Sequence, residues 1–182
     1  TEVDESGDTD TFTVVLDAQP DSNVVVAISV SDSSESSVNS PLTFTSANWD
    51  TQVVTITGVD DDIIDGTINS TITVTIVDAI SDDNFDEVSD QSVSVSTTDD
   101  DVAGFTITET ESGTEVNESS TTDTFKVVLN AQPTSDVQIS VTSADTGEVT
   151  ASPATLTFTA ANWDTVQTVT AVSYTHLRAH ET

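Results

Sequence analysis

Cysteine and methionine are absent from this 182-residue chain, and only two of its residues are Lys or Arg. The lack of cysteine excludes a disulfide framework and a zinc–thiolate site, and it leaves the compartment open. Against the shortage of positive charge stand 33 Asp and Glu, for a formal net charge of −31. Such a chain repels polyanions and anionic membrane surfaces, so nucleic acid is not an expected partner. Long apolar runs are missing as well. The longest, Val24 to Ile28, falls far short of the roughly 20 apolar residues that span a bilayer, and direct membrane insertion is not expected. Apolar positions recurring at helical spacing are also missing.

What the chain does contain is Val, Ile and Thr in alternating runs, with the acids gathered between them, a pattern of strands and turns rather than of a disordered acidic tail. The stretch 47–66, A-N-W-D-T-Q-V-V-T-I-T-G-V-D-D-D-I-I-D-G, shows the arrangement most compactly. Val54 and Ile56 fall on one face of a short strand, and Val53, Thr55 and Thr57 on the other. Gly58 ends it, and Asp60, Asp61, Asp62 and Asp65 follow. Carboxylates so crowded repel one another unless a cation sits among them. With no basic side chain nearby in sequence, a hard, oxygen-preferring ion such as calcium is the natural candidate, and a solvated acidic turn the plain alternative.

The chain repeats itself. Ala161 to Thr165 restates Ala47 to Thr51 at an offset of 114, and Asp123 to Pro133 restates Asp10 to Pro20 at 113. A period of this length exceeds the roughly 20–50 residues of a solenoid and implies domains in tandem. The expected division is a first repeat over 1–101 without its opening strand and a second over 102–171 that stops before its acidic loop and last strands. In the first, strands are expected over 11–17, 24–30, 42–45, 53–57, 70–77 and 92–97, with a polar loop at 31–40 and a second acidic loop at 78–90. In the second, the opening strand is expected over 104–108. About seven short strands in roughly a hundred residues, separated by turns, indicate an all-β, immunoglobulin-like β-sandwich.

Residues 172–182, V-S-Y-T-H-L-R-A-H-E-T, break the repeat and read as the translation of a sequencing adapter. They are expected to be an artefactual tail that packs against nothing. They hold both His residues, the only Tyr and the only Arg.

The D-D-D-I loop at 60–63 and the D-D-D-V-A-G-F run at 99–105 resemble the Calx-β family of calcium-binding repeats. The N-W-D-T and D-A-Q-P signatures are similar to those of tandem arrays in giant bacterial adhesin-like proteins. The resemblance implies a seven-strand, immunoglobulin-like sandwich with Ca2+ ligands at one pole. Carried over position by position, these are Glu5, Asp32, Asp60, Asp61, Asp62, Asp65, Asp99, Asp100 and Asp101, with the Ile63 carbonyl. Of this set the second repeat keeps Glu118 and Asp145, and no complete site is expected there. The function implied is a non-catalytic, calcium-binding extender repeat of a secreted or surface-anchored bacterial protein, whose partners are calcium and neighbouring repeats. The alternative is an adhesive module that grips a glycan or a cell-surface protein through the loops at 31–40 and 78–90.

Other chemistries fit poorly. Asp82, Asn84 and Asp86 begin an EF-hand spacing, but Glu87 stands where that loop needs glycine. A glycosidase needs one carboxyl isolated in an apolar setting, not a crowd beside a turn. Ser and Thr have no imidazole to activate them outside the tail. Trp49 and Trp163, repeated at a strand corner, suit a core position better than a sugar platform.

Overall fold

In the computed structural model, residues 1–110 and 113–174 are described. The chain divides into two compact units, one of residues 1–61 with 65–100, the other of 62–64 with the chain from Asp101 onward. Both are all-β, immunoglobulin-like sandwiches.

The first unit is built from β1 (Glu2–Asp4), β2 (Thr9–Val14), β3 (Val24–Val30), β4 (Ser36–Val38), β5 (Leu42–Phe44), β6 (Gln52–Gly58), β7 (Ile68–Ile76) and β8 (Gln91–Thr98). One sheet runs β1-β8-β7-β3-β5, the other β2-β6-β4. All pairings are antiparallel except β1 with β8. Alternation determines which side chains face inward: Val24, Val26 and Ile28 from β3, Phe44 from β5, and Val54 and Ile56 from β6 meet in one buried cluster with Val3, Ile72 and Val95. Trp49 packs against this cluster, half-buried, and its carbonyl accepts from the Leu16 amide at 3.3 Å. Asn48 Oδ1 closes the preceding turn by accepting from the Thr45 amide and hydroxyl.

The second unit comprises β9 (Phe105–Glu109), β10 (Thr122–Leu129), β11 (Val137–Ser140), β12 (Val149–Ser152), β13 (Thr155–Phe158) and β14 (Gln167–Ser173). Its sheets run β12-β14-β10-β9 and β11-β13. The repeat is visible in the hydrogen bonds. Leu129 donates to the Trp163 carbonyl, and Asn162 Oδ1 accepts from Thr159, as Asn48 does from Thr45.

At four places the structure refines or departs from the sequence reading, each for a physical reason. The polar stretch 31–40 contains β4, a strand of Ser36, Ser37 and Val38 that pairs with the end of β6; its serines hide the apolar alternation that marks the other strands. Residues 1–5, expected as the end of a strand or its following turn, hold the strand β1, anchored by the buried Val3 and by parallel pairing to β8. The acidic loop at 78–90 is shaped by two 3-10 turns, Asp78–Ile80 and Asp83–Phe85. Asp82 is buried between them, accepting from the Asp21, Ser22 and Asn84 amides. Lastly, the expectation that the segment from Val172 onward packs against nothing fails at its first three residues, the third of which, Tyr174, donates its amide to the Glu148 carbonyl at 2.9 Å. Val172 pairs with Thr122 and Thr150, and Ser173 with Val149. Ser173 falls in phase with the buried Val169 and Ala171 and is small enough to be buried itself. Residues 175–182 lie outside the described residues.

Among the described residues, no helix is long and apolar enough to cross a membrane.

Candidate metal centre

At one end of the first unit, three separate stretches of chain bring carboxylates together. Glu5 is delivered by β1. Val3 plugs the core, β1 runs beside β8, and the Glu5 amide donates to the Thr98 carbonyl at 3.1 Å. This approach requires a residue without a side chain at the end of β6. A Cβ on Gly58 would lie 1.9 Å from the Asp4 carbonyl oxygen, so glycine there lets β1 lie against β6. Glu35 arrives from the turn before β4. Asp32 caps that turn through Oδ1 to the Ser34 amide and hydroxyl, and the Glu35 carbonyl accepts from the Val59 amide at 2.9 Å. Asp65 comes from the loop after β6, which is pinned where the Gly66 amide donates to Asp99 Oδ2 at 2.8 Å. Gly66 sits at a φ of 77°, in the left-handed region that glycine tolerates.

One carboxylate oxygen from each of Glu5, Glu35 and Asp65 lies within 4.8 Å of those of the other two. Glu5 is 1% exposed and Glu35 4%. In both, Oε2 is buried without a hydrogen-bond partner. Residues 1–101 contain no Lys, Arg or His to neutralise them. Buried anionic oxygens left in this way are costly, because each has lost water and gained nothing in exchange.

The charge responds accordingly. Burial first, then the charges of Glu35, Asp65 and Asp61, push the Glu5 carboxyl up from 4.5 to about 7. Glu35 is also raised, by burial and then by Asp65, and a hydrogen bond between the two glutamates opposes its rise while adding to that of Glu5. One proton shared between two carboxyls has this signature. Asp65 is exposed as a residue, yet desolvation of its carboxyl and the charges of Asp61 and Asp99 raise it too.

Of the residues expected from sequence, the structure thus brings Glu5 together with Asp65 and also places a carboxylate oxygen of Asp61 within 4.8 Å of one of Glu5. Asp61, Asp32 and Asp99 are close enough to act on them electrostatically. Asp60 and Asp100 are exposed and stand outside the three-carboxylate group. Asp62, Ile63 and Asp101 belong to the second unit, where the Asp62 carbonyl accepts from the Gln132 amide and Ile63 bridges Gln132. Glu35 was missed by the sequence reading, which placed it within a variable loop. Its signal was the repeat itself, since Glu148 occupies the matching position at the same offset of 113. In the second unit Glu118, Asp145 and Glu148 are all exposed.

Oxygens separated by up to 4.8 Å suit a cation bound at about 2.4 Å from each, which is the calcium range; magnesium, at about 2.1 Å, needs a tighter octahedron. Buried, unpartnered anionic oxygens and the absence of any basic side chain fit the same kind of ion.

No protein-family profile and no curated protein matches the sequence. Among solved structures, the calcium binding domain CBD12 of CALX1.1 is 19% identical, with 96% of this chain and 73% of that one covered at a TM-score of 0.41. The D0-D1 domain of Intimin is 13% identical, covering 97% of this chain and 82% of that one at 0.38. A Bacteroides ovatus GH5 xyloglucanase in complex with a XXXG heptasaccharide is 21% identical over 53% of this chain, at a TM-score of 0.36, and this chain spans 16% of its length. All three scores lie below 0.5, so these likenesses carry no argument about family or activity. The sandwich assignment rests on strand order and core composition.

Proposed function

We propose that this chain is a calcium-binding, non-catalytic structural repeat of the Calx-β type from a secreted or surface-anchored protein. The observation that carries the reading is the group of Glu5, Glu35 and Asp65. These are oxygen ligands in calcium-compatible reach of one another, two of them buried with an unpartnered oxygen, in a unit without a basic side chain. Glu5, Glu35 and Asp65 would hold the ion, with Asp61, Asp32 and Asp99 adding negative potential around it. Bound there, calcium turns a mutually repulsive group of anions into a cross-link between β1, the turn before β4 and the loop after β6. An ion that binds only the folded form adds stability of RT ln(1 + [L]/Kd), about 2.7 kcal/mol at a hundredfold excess over Kd. A repeat stiffened in this way serves as a spacer, and extracellular calcium at millimolar levels suits a site of modest affinity.

Calorimetric titration of the chelator-treated protein with calcium tests the proposal. Saturable binding is expected, abolished by Glu35→Gln and reproduced only weakly by magnesium. Absence of saturable calcium binding by the wild-type protein would refute it.

A further inference from the structure

The chain holds two Asn-x-Ser/Thr triplets, Asn69-Ser70-Thr71 and Asn117-Glu118-Ser119, and the fold presents them in opposite ways. The first lies in β7, a strand flanked by β8 and β3. Asn69 stands opposite Ser96 of β8, and Ser70 is buried. The Thr71 amide donates to Ser31 Oγ at 2.9 Å, and the Thr71 carbonyl accepts from the Ser31 amide. An Asx turn needs the amide two residues on, and at Asn69 that amide is taken.

The second triplet lies in a turn. Asn117, Glu118, Ser119 and Ser120 are all exposed. Asn117 Oδ1 accepts from the Ser119 amide at 3.0 Å. The Thr121 hydroxyl closes the turn, accepting from the Asn117 amide at 2.7 Å and donating to the Asn117 carbonyl. Among the described residues, neither Asn117 Nδ2 nor the Ser119 hydroxyl has a hydrogen-bond partner. The same turn occurs in the first unit, where β1 is paired to β8. There the Ser6 amide donates to Asp4 Oδ1 at 3.0 Å, and Gly7 has a φ of 90° where Ser120 has 60°. The conformation therefore belongs to the repeat, and Asn117 fills the position of Asp4 with a side chain that carries a nitrogen.

We propose that Asn117 is an N-glycosylation acceptor for an oligosaccharide carried on a polyprenyl diphosphate, and that Asn69 is not. Nδ2 attacks C1 of the first sugar, the bond from C1 to the diphosphate oxygen breaks, and polyprenyl diphosphate departs with the electron pair and one Nδ2 proton. The chain keeps the side-chain amide with the sugar on its nitrogen. Transfer requires the asparagine and the hydroxyl two residues on to enter an enzyme's cleft together. A turn held by its own atoms can do so at the loss of few bonds, whereas β7 would have to leave its ladder. Glu115, two residues before Asn117, is exposed and supplies the acid that single-subunit bacterial oligosaccharyltransferases read at that position; Thr67 stands there for Asn69. The proposal does not rest on metal binding.

The test incubates the folded full chain with such an enzyme and its lipid-linked oligosaccharide, followed by intact-mass and peptide-mapping mass spectrometry. Addition of a single oligosaccharide, at Asn117, is expected. Asn117→Gln and Ser119→Ala are each expected to abolish it, and Asn69→Gln to leave it unchanged. Thr67→Glu gives Asn69 the same preceding acid, so that the preference left is due to the fold. Occupancy of Asn117 in that variant should still exceed that of Asn69 about tenfold or more, although a synthetic peptide of residues 65–73 with the same change should be modified as readily as one of 113–121. An unmodified Asn117 in the folded chain, equal occupancy of the two sites in the Thr67→Glu chain, or a preference between the peptides as large as that in the chain would overturn the proposal, and none of these outcomes bears on calcium.

Discussion

Replacing Glu5 by Gln changes one atom of a buried side chain, and the structure gives that change a sign that depends on the metal. Without calcium, the carboxyl is moved from 4.5 to about 7 by burial and by its anionic neighbours. The folded protein therefore binds more protons than the unfolded chain between those two values, and stability falls as pH rises through that window. Above it, Glu5 is ionised in both states and its full cost is present, on the order of 3 kcal/mol against folding by linkage and less once the site relaxes or admits water. Glu35 and Asp65 are raised as well and add to the same slope. Asp4, Asp82 and Asp123 are lowered from 3.8, so their contributions are lost only in more acidic solution and do not intrude. Glu5→Gln in chelator at pH 8 is thus expected to gain roughly 2 kcal/mol, which for a domain of about a hundred residues is a rise in Tm on the order of 10 °C. The wild type should melt higher at pH 5.5 than at pH 8, and the variant should show a shallower difference. In millimolar calcium the order reverses, because the wild type gains the ion's binding free energy and the variant does not. Thermal melts followed by Trp49 fluorescence, in a Trp163→Phe background, report the first unit alone. A variant less stable than wild type in chelator at pH 8, or one with an unchanged pH slope, would refute the reasoning.

Asp65→Asn should remove most of the calcium-induced rise in Tm without lowering the melting point in chelator, whereas Asp100→Asn, at an exposed position, should leave the calcium response close to wild type. Gly58→Ala forces a Cβ against the Asp4 carbonyl; displacing β1 should weaken calcium binding at least tenfold in the same titration and lower stability by about 1–3 kcal/mol in chelator. Phe44→Ala empties the centre of the first core, where Phe44 is 0% exposed, and should cost about 3–5 kcal/mol in denaturant melts. Glu148→Gln, the matching change to Glu35→Gln in the second unit, should alter neither calcium stoichiometry nor Tm, since Glu148 is exposed.

Much of this fold could be read without coordinates. Alternation of Val, Ile and Leu with Thr and Ser marked β3 to the residue and placed β6 and β7 within two residues of their ends, because inward-facing positions in a sandwich recur every second residue whatever lies opposite. The 113–114-residue repeat reappears in the hydrogen bonds, where Asn48 and Asn162 close the same strand corner in the same way. Asp65 stood out in sequence as one of a crowd of acids without a counter-charge, whereas Glu5 was named only through the resemblance to Calx-β repeats. Which acids meet was a different matter. Asp60, Asp61 and Asp62 are equivalent in sequence, yet Asp61 acts on the glutamates, Asp60 stands in solvent and Asp62 goes with the second unit. Glu35 sits 30 residues from both Glu5 and Asp65 in sequence and was hidden in a serine-rich stretch. It joins them because β1 pairs in parallel with β8 across the whole first unit and β4 hydrogen-bonds the end of β6. Local pattern dictates a strand; only closure of the two sheets over a shared core decides which strand ends meet, and so which carboxylates must share a proton or a cation.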